Sequence, residues 1–287
     1  MNNISATAHL VAMYRALESE RPDAVFQDPF ARRLAGGEGA LMVEVLGDKQ
    51  QGTAAMAIRT CTIDEMIIRL VKSGRVDTVL NLAAGLDTRP YRLDLPASLR
   101  WIEVDLPSIV MYKDQELKSE QPACLVERIK LDLTDVAVRK ILFAQINASA
   151  DRVLVITEGL LSYLTEAQVA SLAVDLHQQS NFRWWLFELA APMILQQAQQ
   201  SDRQRLFDQY FANGNATFLF APEQGTDFFR PYGWKVNEFR SIWKEACRLK
   251  RHTHLVRFAG FPMRCFARRT WRAITQNTGF ALLEQVP

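Results

Sequence analysis

Between residues 76 and 189, short runs rich in Val, Ile and Leu alternate with segments of helical periodicity, and this alternation constrains the fold more than any other feature. The runs are Val76–Leu82, Trp101–Asp105, Leu125–Leu131, Val153–Glu158 and Arg183–Leu189. Helical segments are expected at Ser108–Leu117, Asp135–Ile146 and Glu166–Gln179. Apolar strands separated by helices need crossover connections, which are right-handed and set the strands parallel, with helices on both faces. The expected fold class is therefore α/β, a doubly wound and mostly parallel sheet. Such sheets bind ligands beyond the carboxyl ends of their strands. Asn81, Asp105, Asp132 and Glu158 fall at those ends.

The flanks read as helical. Residues 5–20 and Thr53–Lys72 carry helical periodicity, the second with Met56, Ile63, Met66, Ile67 and Leu70 on one stripe. Between them, Gly36, Gly37 and Gly39 predict a flexible or tight connection. After Leu189 the expected elements are a helix over Ala191–Tyr210, an aromatic stretch Phe218–Trp234, helices Val236–Leu249 and Arg268–Gln276, and a last strand Ala281–Val286. No repeat or linker interrupts the chain. It is expected to be one domain, 1–287, with a helical cap from about 1–55 and 190–235.

Several function classes are disfavoured. The net charge is +2, and the densest basic stretch, Arg248–Arg257 with Arg264, Arg268 and Arg269 beyond it, reads as solvated surface; no nucleic acid is expected. Cys61, Cys124, Cys247 and Cys265 show no CxxC pair, and His9, His177, His252 and His254 show no metal spacing, so no metal is expected. With no apolar leader and no run of about 18 apolar residues, a cytoplasmic protein without a membrane partner is expected.

The loop after the first strand, Asn81-Leu82-Ala83-Ala84-Gly85-Leu86-Asp87-Thr88-Arg89, is built of small residues that let backbone approach a ligand. It is neither GxGxxG nor a P-loop, which counts against a pyrophosphate. Asp105 lies 20 residues after Gly85 at a strand end, where a carboxylate can accept from both hydroxyls of a ribose. Glu103, two residues earlier on the same strand face, is the alternative or an ion-pair partner of a nearby cation, and Asp105 is preferred because it sits at the strand end beside Pro107. Asp132 either accepts from an adenine amino group, with the Leu133 N–H donating to the ring, or caps the next helix, as Thr134 or Asp135 also could. Glu158 faces a ligand cation or pairs with an arginine. Trp184 and Trp185 read first as core, and His177 as structural or exposed. No GxSxG nucleophile elbow is present.

Taken in order, NLAAGLDTRPYRL (Asn81–Leu93), WIEVDLP (Trp101–Pro107), LDL (Leu131–Leu133) and TEGLLSYL (Thr157–Leu164), with IRT (Ile58–Thr60) upstream, resemble the leucine carboxyl methyltransferase-like family of class I S-adenosylmethionine-dependent methyltransferases, which includes bacterial polyketide O-methyltransferase-like proteins. The resemblance spans roughly residues 5–190 and implies a Rossmann-like fold with S-adenosylmethionine as cofactor. It implies cofactor-binding roles for Arg59, Gly85, Asp105, Asp132, Leu133 and Glu158, and catalytic roles for Tyr163, which orients the acceptor, and for Arg59, which holds the methionine carboxylate or a substrate carboxylate. Ala83 stands where such proteins often carry glycine. A carboxylate acceptor is already ionised at neutral pH and needs alignment and desolvation only, whereas a hydroxyl needs a base that the sequence does not display. The expected activity is O-methylation of a carboxyl or acidic hydroxyl group on a small molecule. The alternatives are a non-catalytic S-adenosylmethionine- or ligand-binding protein and a nicotinamide-dependent oxidoreductase. The aromatics Phe211, Phe218, Phe220, Phe228 and Phe229 suggest either an apolar acceptor or a cap core.

Overall fold

A computed structural model of the chain describes residues 3–211, 218–251, 275 and 277–286. Its centre is a seven-stranded sheet. The strands are β1 (Thr78–Leu82), β2 (Arg100–Asp105), β3 (Leu125–Lys130), β4 (Val153–Thr157), β5 (Phe182–Leu189), β6 (Trp234–Ser241) and β7 (Gly279–Gln285), in the order β3-β2-β1-β4-β5-β7-β6. The first five are mutually parallel, and β7 runs antiparallel between β5 and β6. This is the doubly wound α/β sheet expected from the apolar runs. Strands β1 and β4 are buried at every position, as a strand covered on both faces must be.

Helices α1 (Asn3–Ser19), α2 (Ala31–Leu46) and α3 (Lys49–Lys72) precede the sheet. The glycines expected to break the chain lie inside α2, which kinks at Gly36 (φ 57°) and continues. A Cβ on Gly39 would stand 2.5 Å from the His9 carbonyl oxygen, so glycine there lets α1 and α2 touch. Leu10, Met13, Tyr14, Leu34, Met42 and Met56 join these three helices in one hydrophobic cluster.

Between the strands run α4 (Arg89–Arg92), α5 (Pro107–Glu116), α6 (Val136–Ser149) and α7 (Glu166–His177). Asp135 caps α6 by accepting from Ala137 and Val138 N–H, each at 3.1 Å. Thr165 and Gln168 form a capping box on α7. Trp185 lies wholly in the core, with its indole N–H donating to Thr157 Oγ1 at 2.9 Å, and Trp184 is buried too. His177 meets the Val286 carbonyl at 2.9 Å, a structural role.

Two expectations fail after Leu189. Ala191–Tyr210 is two helices, α8 (Pro192–Gln199) and α9 (Asp202–Phe211), with Gln200 and Ser201 between them. Val236–Leu249 is half strand: β6 fills its first part, and α10 (Ile242–Arg248) follows. Pairing with β7 and the buried Trp234 anchor, whose indole donates to the Ala173 carbonyl at 3.0 Å, override the local helical pattern. Phe220 and Phe229 are core residues, Phe229 against Trp185 and Phe187 and Phe220 against Phe229. The expected helix Arg268–Gln276, apart from residue 275, lies outside the described residues, as do His252, His254, Cys265 and the basic residues from 252 to 269, and nothing is described of the Phe211 side chain. Among the described residues, no helix is long and apolar enough to cross a membrane.

Candidate active site

Adjacent parallel strands end side by side, so the segments after β1, β2, β3 and β4 meet at one edge of the sheet. A cavity of about 290 Å³ opens there. All the residues expected to bind or act line it: Arg59, Gly85, Asp105, Asp132, Leu133, Glu158 and Tyr163. Helix α1 closes it with Thr7, Ala8, Val11 and Arg15; of these the sequence marks only Thr7, as a candidate helix cap, and the helix in fact begins before it.

The loop after β1 turns through two left-handed residues, Ala83 (φ 54°) and Gly85 (φ 52°). Glycine adopts that region freely, whereas alanine is strained there. Gly85 N–H donates to Asp105 Oδ2 at 2.6 Å, and Leu106 N–H donates to Oδ1 at 2.7 Å. Each carboxylate oxygen keeps acceptor capacity for a diol. Burial pushes the Asp105 carboxyl up, against the pull of these two N–H groups. Glu103 points to another task. It pairs with Lys113 and Arg128, each at 2.8 Å, and is a buried structural anchor. Asp132 is exposed, and its Oδ1 accepts from Thr134 N–H (2.9 Å) and Oγ1–H (2.7 Å), which shapes the loop; the helix cap is Asp135.

The floor of the cavity is a chain of buried charges. Asn81 Nδ2 donates to Asp87 Oδ2 at 2.9 Å; Arg89 Nη1 lies 3.1 Å from Asp87 Oδ2 and 2.7 Å from Glu158 Oε2; Arg59 Nε lies 2.8 Å from Glu158 Oε1, and Arg59 Nη2 lies 3.1 Å from Glu188 Oε1. Asp64 of α3 supports the chain from below, 2.6 Å from both Arg89 and Arg92. Burial would raise the Asp87 carboxyl, but Arg89, Lys113 and Arg92 outweigh it and hold it at about 2. Arg89 and Arg59 likewise hold Glu158 below its usual range against burial. Glu158 is thus both an ion-pair partner and a wall of the cavity, so the two readings of it coexist. Helix α1 is tied to the same base. Arg15 donates to Asp28 Oδ2 (2.8 Å) and to the Leu86 carbonyl (2.6 Å), and Thr88 Oγ1–H donates to Asp28 (2.6 Å).

A second cavity, of about 300 Å³, adjoins the first across Arg59, Gly159 and Tyr163. Helices α1, α8 and α9 and residues 218–220 enclose it, with Glu188 at its base. Glu188 had one signal in the sequence: like Glu158, it is an acid near the carboxyl end of an apolar run. Arg203, Phe207 and Leu195 had none, because helical spacing places no residue against a cavity shared by several helices. Among the described residues, no group of three or more His, Cys, Asp or Glu is placed to hold a metal ion.

The family model for leucine carboxyl methyltransferase matches residues 8–176. The chain is 32% identical over 187 residues to a protein of a Parafrankia species provisionally named an S-adenosyl-L-methionine-dependent methyltransferase, covering 62% of this chain and 60% of that one. A provisionally so named protein of Streptomyces coelicolor is 34% identical over 189 residues, covering 62% and 66%. The matched part thus spans about three fifths of the first of these relatives. In fold, the chain is similar to a DUF574 family protein from Streptomyces avermitilis, with a TM-score of 0.58, 14% identity and 98% and 97% of the two chains covered. It is also similar to a provisionally named methyltransferase from Thermobifida fusca, with a TM-score of 0.53, 13% identity and 96% and 94% covered.

Proposed function

The chain belongs to the leucine carboxyl methyltransferase family, which uses S-adenosylmethionine, and from that premise we propose that it is an O-methyltransferase acting on a carboxyl or acidic hydroxyl group of a small molecule. The observation that carries this reading is the convergence of Gly85, Asp105, Asp132, Leu133 and Glu158 on one cavity, with Arg59 and Tyr163 on the wall it shares with a second.

Asp105 would take the ribose hydroxyls on the lone pairs left by Gly85 and Leu106. Asp132 and the Leu133 N–H would meet adenine, and Gly85 would lie along the cofactor. Glu158 would face its cationic end, and Arg59 its carboxylate. Bound S-adenosylmethionine supplies the methyl group and a sulfur whose positive charge is lost on transfer. The protein's share is to align the acceptor and exclude water, which helix α1 does by covering both cavities with Thr7 and Val11. Tyr163 would orient the acceptor at the junction. Residues of the first 55 and of 190–235 would form the cap that selects it.

Titration calorimetry with S-adenosylmethionine and S-adenosylhomocysteine tests the reading, with micromolar binding of both expected. Absence of binding by the wild type would overturn it. Binding with no methyl transfer to any of a broad acceptor panel would favour the non-catalytic alternative, and tight binding of NADH in place of either would favour an oxidoreductase.

A further inference from the structure

The second cavity is largely apolar, with Leu10, Met56, Leu195, Phe207 and Phe218 among its walls. Its charged groups are Arg59, Glu188 and Arg203. Both cations are already met by acids. Arg59 lies between Glu158 and Glu188, and Arg203 donates to Asp48, which also accepts from Tyr14. A carboxylate acceptor arriving beside Glu188 would add negative charge where Arg59 is already shared by Glu158, Glu188 and the cofactor's own carboxylate, and where Arg89 is committed to Asp87 and Glu158. A neutral molecule meets no such opposition.

Glu188 is the group that a neutral hydroxyl would find. Its side chain is 27% exposed and lines the second cavity at the carboxyl end of β5. Oε1 accepts from Gly159 N–H at 2.6 Å and lies 3.1 Å from Arg59 Nη2, while Oε2 has no hydrogen-bond partner among the described residues. A buried acceptor without a donor is costly, and an incoming O–H supplies the donor. The terminal torsion of a glutamate is soft, so a small turn presents that oxygen to the cavity. The groups around Glu188 are Arg59 from α3, Glu158 and Gly159 after β4, Tyr163 and, across the cavity, Arg203 from α9, and Phe280 across the β5–β7 ladder. Burial and the neighbouring Glu158 push the Glu188 carboxyl up, with Arg59 and the Gly159 N–H opposing, whereas Glu158 itself is held down. Two neighbouring carboxylates pushed in opposite directions divide into a proton carrier and a fixed charge.

Resting on the methyltransferase reading above, we propose that the second cavity is the acceptor site, that it takes a neutral, mainly apolar hydroxyl compound of the phenol or enol class, and that Glu188 is the base that receives its proton. The acceptor oxygen bonds to the methyl carbon as the carbon–sulfur bond breaks and its electron pair stays on sulfur. The hydroxyl proton passes to the Glu188 carboxylate and from there to solvent.

The test begins with S-adenosylhomocysteine alone. If the wild type does not bind it, the methyltransferase reading fails and takes this proposal with it, an outcome distinct from those that follow. On protein saturated with S-adenosylhomocysteine, 2-naphthol and 2-naphthoate are titrated at pH 7. The wild type should bind the naphthol at least about tenfold more tightly, because the carboxylate is repelled. Glu188→Gln should shrink that preference by admitting the naphthoate. Ala198→Trp, which fills the cavity, should abolish binding of both while S-adenosylhomocysteine still binds. In single turnover with S-adenosylmethionine, transfer to 2-naphthol should fall about 100-fold in Glu188→Gln at pH 7 and recover above the phenol's own pKa, where no base is required. Naphthoate binding as tightly as naphthol, binding of neither, no transfer by the wild type, or a preference and rate indifferent to Glu188→Gln would each overturn the proposal.

Discussion

The first cavity is framed largely by the segments that follow adjacent parallel strands, whereas the second is framed by side chains from helices that flank those strands in sequence, α1 before the sheet and the consecutive pair α8 and α9 after β5. The first rests on a buried ionic floor running from Asn81 through Arg89 to Glu188. The second has apolar walls and borrows only the last links of that floor. Residues matched by the family model stop at 176, so they supply most of the first cavity but only part of the second. The contrast separates what such a protein must keep, a fixed cofactor frame, from what it is free to vary, the shape that receives the acceptor.

The strongest way to break this contrast is to remove its common base. Asp64→Ala leaves Arg89 and Arg92, both buried, short of their shared acid. The expected loss is about 3–5 kcal/mol of stability in urea unfolding, and a loss under about 1 kcal/mol would show that the floor carries little. Next comes a change confined to the first cavity. Asp105→Ala should weaken S-adenosylhomocysteine by about 100-fold in calorimetry, or about 2.8 kcal/mol, with the chain still folded by circular dichroism; unchanged affinity would remove Asp105 from its role.

The floor should also register in acid. Asp87 is held at about 2 against an ordinary 3.8, so its ionised form is favoured by the fold. That contribution, about 2 kcal/mol, is fully present above about pH 4 and is lost as pH falls toward 2. Stability measured from pH 5 downward should fall more steeply in the wild type than in Asp87→Asn, and parallel curves would refute the assignment. The smallest effect belongs to the loop itself. Ala83→Gly relieves a left-handed alanine, partly offset by the greater freedom of glycine in the unfolded chain, for a net gain of about 0.5 kcal/mol. A lower melting temperature in that variant would show that the Ala83 methyl group is needed for packing.

The strand ends were legible because burial on both faces leaves nearly pure apolar runs, and a charged residue at the end of such a run stands out. Asp105 and Glu158 are found that way, and Glu188, near the end of the run Arg183–Leu189, follows the same rule. A glycine whose purpose is distance gives no such signal: Gly39 makes room for the His9 carbonyl, a contact 30 residues away in sequence. Strand β6 is hidden in the sequence because its residues repeat like a helix and pair along β7, which follows it by nearly 40 residues. Arg15 and Arg203 were invisible for a related reason. An arginine on a helix looks the same in sequence whether it faces water or closes a cavity.

The sequence by itself determined the α/β alternation, the order of the strand-end acids and the family to which they belong, because each depends on local periodicity and on residues a few positions apart. Only the tertiary structure decided that Arg59 stands between two glutamates, that one of these is held ionised while the other is pushed toward its protonated form, and that a second cavity lies behind them. Those outcomes depend on distances of about 3 Å between α3, β4 and β5. Electrostatic coupling at that range is set by which groups are packed together out of water, and no spacing along the chain encodes it.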